Sequence, residues 1–288
     1  MIACFKKTST VRQRPLAIYP VLAFVLGCGT WIGTPKKPKP DGGNAAVSLS
    51  IQGVTPGLKL MGQSIAVIDK SGVSAGTINV TSALVALREI QLKLTSEESG
   101  SESQFVGPFI VDLLSNKMTP SPAKVETSAG TYNEIILKLE KLKAANATTN
   151  DPLINRTFYI KGNYVPVTGQ SKQFTLAFET EEDFVLGSRQ HKSKGTDLLG
   201  DSDNSLIIKF QTTQWFKFND KATNKTNVDF SDLSGDVVEL SEGAQGISAT
   251  LRKVIIANIK QSLKYGRDQN GDGKLDKSEN DDNEAEED

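Results

Sequence analysis

Apolar and polar residues alternate with period two through the middle of the chain. Val47, Leu49 and Ile51 form one such set; Ile90, Leu92 and Leu94 a second; Ile135, Leu137 and Leu139 a third. Phe174, Leu176 and Phe178, then Leu206, Ile208 and Phe210, continue the pattern, with polar residues between the apolar ones, as in EIQLKLT (89–95) and KQFTLAFET (172–180). Alternation of this kind places one face of a strand in a core and the other in water. The sets are separated by clusters of Gly, Pro, Ser and Asn, and no helical period intervenes between Ala45 and residue 218. The pattern predicts a mainly-β fold over residues 45–240, an antiparallel β-sandwich of about eight strands, in preference to a parallel α/β sheet.

The period changes after Asp236. Ile247, Leu251, Val254, Ile255, Ile259 and Leu263 fall on one stripe of an amphipathic helix, and Arg252, Lys253, Lys260 and Lys264 avoid it. The spacing predicts a helix within residues 241–288 that packs on the sandwich, ends at Gly266 and runs directly into the following loop. The stretches 195–204 and 219–236 read as surface loops.

The N-terminus has the order of an export signal. Lys6, Lys7, Arg12 and Arg14 precede an apolar run from Leu16 to Leu26, which is too short to span a bilayer, a task that takes about 20 residues. VLGC (Val25–Cys28) resembles the lipobox of bacterial lipoproteins. That resemblance implies a signal peptide over 1–28, lipidation of Cys28, and attachment to the membrane through the lipid. Gly29 in place of Asp after the cysteine points, in a Gram-negative cell, to the outer membrane, with the body periplasmic or surface-exposed. Residues 29–44, GTWIGTPKKPKPDGGN, have the Pro and Gly content of a tether. With Cys4 lost in the signal, Cys28 is the sole mature cysteine, which excludes an internal disulfide or a cysteine-based zinc site.

Charge changes the picture only at the C-terminus. From Asp268 to Asp288 the chain has ten acids and two lysines, so its acidity is local to the tail. A concentrated basic face of the kind nucleic acid requires is absent from the sequence. Within that tail, DQNGDGKLDKSE (268–279) resembles the EF-hand calcium loop. Such a loop supplies oxygens from positions 1, 3, 5, 7, 9 and 12, with Gly at position 6. The resemblance places Asp268, Asn270, Asp272, the Lys274 carbonyl, Asp276 and Glu279 as ligands of Ca2+, with Gly273 at the sharp turn and Leu275 pointing inward. There is no second such loop to pair with it. Residues 107–142, with VDLL followed by AGTY and an alternating strand, resemble an uncharacterised domain family of secreted and lipid-anchored bacterial proteins, described as β-sandwiches.

Candidates for catalysis are few. His191 is the only histidine and lies in a basic segment, so the usual pairings of nucleophile and base lack members. Glu181, Glu182 and Asp183 read as a charged turn, Asp201 and Asp203 as a weak candidate for a second cation, and Trp215, Phe216 and Phe218 as core or rim. The expectation is a non-enzymatic, lipid-anchored envelope protein with a structural calcium. An adhesin-like or carbohydrate-binding sandwich is the alternative, and an envelope protein or a glycan stays open as its partner.

Overall fold

The computed structural model describes residues 43–53, 63–95, 103–146, 151–187, 195–219 and 228–279. The signal segment with Cys28, nearly all of the tether, His191 and the tail after Glu279 lie outside the described residues. The first strands are β1 (Asn44–Gln52), β2 (Gln63–Ile68), β3 (Ser74–Leu94), β4 (Ser103–Asp112) and β5 (Lys117–Thr119). Next come β6 (Val125–Ser128), β7 (Gly130–Leu139), β8 (Phe158–Pro166), β9 (Lys172–Phe178) and β10 (Phe184–Leu186). The chain continues with β11 (Thr196–Leu198), β12 (Asp203–Phe210), β13 (Val237–Leu240), the helix α1 (Gly246–Gln261) and β14 (Leu263–Asp268).

The fold is mainly β and has two sheets. One has the order β14-β12-β1-β6; the other runs β10-β7-β3-β8-β9-β13, with β2 and β4 also pairing with β3, β5 with β4, and β11 with β7. All five alternating sets point into one core between the sheets. Val47, Leu49, Ile51, Leu206, Ile208 and Phe210 come from the smaller sheet and meet Ile90, Leu92, Ile135, Leu137, Phe174 and Phe178 from the larger. Leu94, at the end of its strand, is only partly buried. The described strands outnumber the expected eight because β5, β10 and β11 are three residues each, too short to display alternation. Two of the strand pairings, β1 with β12 and β9 with β13, are parallel, and the other pairings between the described strands are antiparallel. Parallel neighbours need a long connection, and these partners are far apart in sequence.

β3 is the spine of the larger sheet. Its first half pairs with β2 and β8 and its second with β4 and β7. Twenty-one residues cannot follow a curved sheet in one register, and the register shifts at Thr81 and at Arg88, both exposed. Each extra residue inverts which face the next side chain takes. The inward set is therefore Ile78 and Val80 before the first bulge, Ala83, Val85 and Leu87 between them, and Ile90 and Leu92 after the second.

Two segments read as loops carry structure. Thr196 and Leu198 of β11 are buried, and Asn204 staples the turn before β12 by accepting from the Leu199 N–H and donating to the Leu199 and Ser202 carbonyls. In the second segment Phe230 is buried among Tyr164, Phe174, Phe216 and Phe218.

The helix also ends earlier than the stripe suggests. Leu251, Val254, Ile255 and Ile259 are buried as expected, whereas Ile247 is exposed in the first turn. Asn258 fixes the helix to the sandwich by donating through Nδ2 to the Trp215 and Lys217 carbonyls. Ser262 then closes the helix: its Oγ donates to the Ile259 carbonyl and accepts from Trp215 Nε1. Leu263 and Tyr265 therefore alternate inward as strand residues. Gly266 is not a helix cap; it lies inside β14 with no left-handed torsion. The arm that enters the loop is a strand, and in this the chain departs from the helix-loop-helix pattern.

Candidate metal centre

β14 pairs antiparallel with β12, and Asp268 at its end stands opposite Ser205. Because Leu263 and Tyr265 face the core, Lys264, Gly266 and Asp268 face outward. The loop that follows folds back over this outer surface. Gly271 and Gly273 both take left-handed torsions, with φ of 75° and 73°, which makes the two sharp bends available at little strain.

The acidic and amide side chains line the inside of the turn by accepting backbone N–H groups. Asp268 accepts from Gly271 through Oδ1 (2.7 Å) and from Gly273 through Oδ2 (2.9 Å). Asn270 Oδ1 accepts from Asp272 at 2.9 Å, and Asp272 Oδ1 accepts from Lys274 at 2.8 Å. Glu279 closes the ring: Oε1 accepts from Gln269 (2.7 Å) and Asn270 (3.2 Å), and Oε2 accepts from Asp276 (3.1 Å). Asn270 Nδ2 reaches Asp276 Oδ2 at 3.3 Å. The first and last predicted ligands are thus brought to the same end of the turn. Each carboxylate oxygen has two lone pairs, so these bonds leave acceptor capacity on every carboxylate oxygen named except Glu279 Oε1, which already accepts twice, and the donor set is the all-oxygen kind that suits a hard cation. As placed, no group of three or more Asp, Glu, His or Cys side chains stands in metal-holding proximity among the described residues.

The sheet provides the seat. A Cβ on Gly266 would run into the Glu279 carbonyl oxygen and lie 2.6 Å from Leu275 Cδ1, so loop and strand touch only because that position is bare. Leu275 and Glu279 are both buried against this surface, in a loop whose other described residues from Gln269 to Ser278 are exposed. Beside Gly266, Ile207 of β12 is fully buried although it alternates away from the core residues Leu206 and Ile208. From β1, Gln52 donates through Nε2 to the Gly273 carbonyl at 2.8 Å. Gln52 and Gly266 were not legible as site residues. The first is an ordinary outward position on an alternating strand, and its contact spans 221 positions of sequence.

The remaining candidates are structural. Glu182 pairs with Lys260 at 2.7 Å and Asp203 with Lys124 at 2.7 Å. Trp215, Phe216 and Phe218 are buried in the core and present no face to a sugar. A buried chain of hydroxyls links Ser103, Thr127 and Tyr132 and ends on the Ser128 carbonyl. Burial pushes the Tyr132 phenol above its ordinary pKa, which keeps it protonated. No family model, curated protein or solved structure matches this chain, so the resemblances described for residues 25–28, 107–142 and 268–279 rest on their residues alone.

Gly266→Ala is expected to lower stability by about 1–3 kcal/mol, the usual cost of forcing extra volume into a packed contact, in urea unfolding followed by Trp215 fluorescence. Unchanged stability would show that the loop does not rest on β14.

Proposed function

We propose that this chain is a non-enzymatic, lipid-anchored protein of the bacterial cell envelope whose C-terminal loop binds calcium as a structural ion. The observation that carries the reading is the closed, oxygen-lined turn in which Glu279 reaches back to the start of the loop while the loop lies on the sheet. Asp268, Asn270, Asp272, Asp276, Glu279 and the Lys274 carbonyl would hold the ion. Its charge would offset the repulsion of four carboxylates gathered within twelve residues, and so secure the last described segment to the sandwich. The lipid on Cys28 and the outer membrane as destination are supported by the lipobox resemblance. An adhesin-like or glycan-binding role has no described residue to support it.

Calcium is expected to bind with a Kd on the order of 10⁻⁴ to 10⁻³ M, the range of extracellular modules, because the loop has no partner hand. At ten times Kd the ion stabilises the fold by about 1.4 kcal/mol. Glu279→Gln removes most of that calcium-dependent shift in melting and leaves the calcium-free core intact. Titration calorimetry at millimolar calcium that showed no heat with the wild type, or equal binding by the variant, would end the assignment.

Anchoring has its own test. Only cysteine supplies the sulfur for the lipid thioether, so Cys28→Ser is expected to release the protein from membranes or to leave it unprocessed. Fractionation of the variant wholly with membranes at the mature size contradicts the lipoprotein reading.

A further inference from the structure

The loop lies against a side chain that its own twelve residues do not supply. Gln52 ends β1 and faces outward, on the side of the smaller sheet that carries Gly266 and Ile207, since it stands beside Lys209, which in turn stands beside Lys264. It is 5% exposed. Its Nε2 donates to the Gly273 carbonyl, at the sharp turn of the loop, and this contact fixes the orientation of the carboxamide, because the opposite orientation would set two oxygens against each other. Oε1 of the same group is buried and accepts no hydrogen bond among the described residues. A carboxamide oxygen shielded from solvent and left without a donor is costly and uncommon in a folded protein. Here it belongs to a group already in contact with an acidic turn lined by oxygen atoms.

We propose that Gln52 is part of the cation site: Nε2 holds the Gly273 turn in place, and Oε1 adds a neutral oxygen from the sandwich to the shell of the bound calcium. This rests on the calcium reading above and extends it to a residue outside the loop. The chemistry fits the ion, which takes six to eight oxygens and accepts carboxamide carbonyls among them. It also gives this unpaired loop an external support, the role that a second hand fills elsewhere. The site would then join both ends of the described chain, since β1 is its first strand and the loop its last segment.

Calcium titration of the full chain in detergent, for the wild type and two variants, tests this. Gln52→Met keeps the volume and removes both polar atoms, and it is expected to weaken calcium binding about tenfold while Trp215 emission stays that of the wild type. Gln52→Glu removes the donor but keeps an oxygen at the same place, and it is expected to bind calcium more tightly than the wild type. Wild-type affinity in Gln52→Met overturns the proposal and leaves the calcium site standing. If Gln52→Met binds weakly and Gln52→Glu equally weakly, Gln52 is only a hydrogen-bonding support, and its oxygen has no part in the site. Absence of calcium binding by the wild type overturns this proposal together with the reading on which it rests. Should Gln52→Met fail to fold, the comparison of Gln52→Glu with the wild type decides alone: tighter binding supports the proposal, and equal or weaker binding overturns it.

Discussion

A turn lined with carboxylates can lie flat on a β-sheet only where the sheet has no side chain to hold it off, and Gly266 is that place. The Glu279 carbonyl and the Leu275 side chain occupy the space that any other residue at 266 would take. From this contact follow the burial of Leu275 and Glu279, the closing of the turn by Glu279 on the N–H groups of Gln269 and Asn270, and the reach of Gln52 to the Gly273 carbonyl. The loop is in this sense a part of the smaller sheet's outer surface. An EF-hand gains its rigidity from two flanking helices and a partner hand; this loop takes its support from a strand at its entry and a sheet beneath it.

The strands beneath the loop are themselves tied into the core. β14 is hydrogen-bonded to β12 along its whole length, and β12 to β1. Behind them Trp215 sits edge-on to Phe158 and Phe210, and Phe158 stacks on Phe178 with ring centroids 4.8 Å apart. Asn258 and Ser262 tie α1 to the same tryptophan segment, so the helix, the last strand and the aromatic core share one set of contacts.

The alternating sets were a faithful guide to the core, because burial of one face of a strand leaves its mark residue by residue. What they could not reveal was β3's changes of face, since the bulges at Thr81 and Arg88 break the period that alternation relies on. The helix stripe misplaced one boundary for a related reason. Leu263 satisfies the helical spacing and the strand spacing equally well, and the decision is made by Ser262, whose partner Trp215 is 47 positions away. The loop was legible as an oxygen-lined turn because the hydrogen bonds that form it are local. The seat was not: Gly266 is explained only by what lies on top of it, and Gln52 only by a contact across most of the chain.

Hydrogen exchange of the loop amides, with and without calcium, bears most directly on the central claim that the ion secures an oxygen-lined turn to the sheet. The amides to follow are those of Gln269, Asn270 and Asp276, which donate to Glu279, and of Gly271 and Gly273, which donate to Asp268. The account predicts that calcium slows their exchange and that a chelator reverses it, while the amides of β1 and β12 stay equally protected in both conditions. Loop amides that exchange at one rate whether calcium is present or not would contradict it.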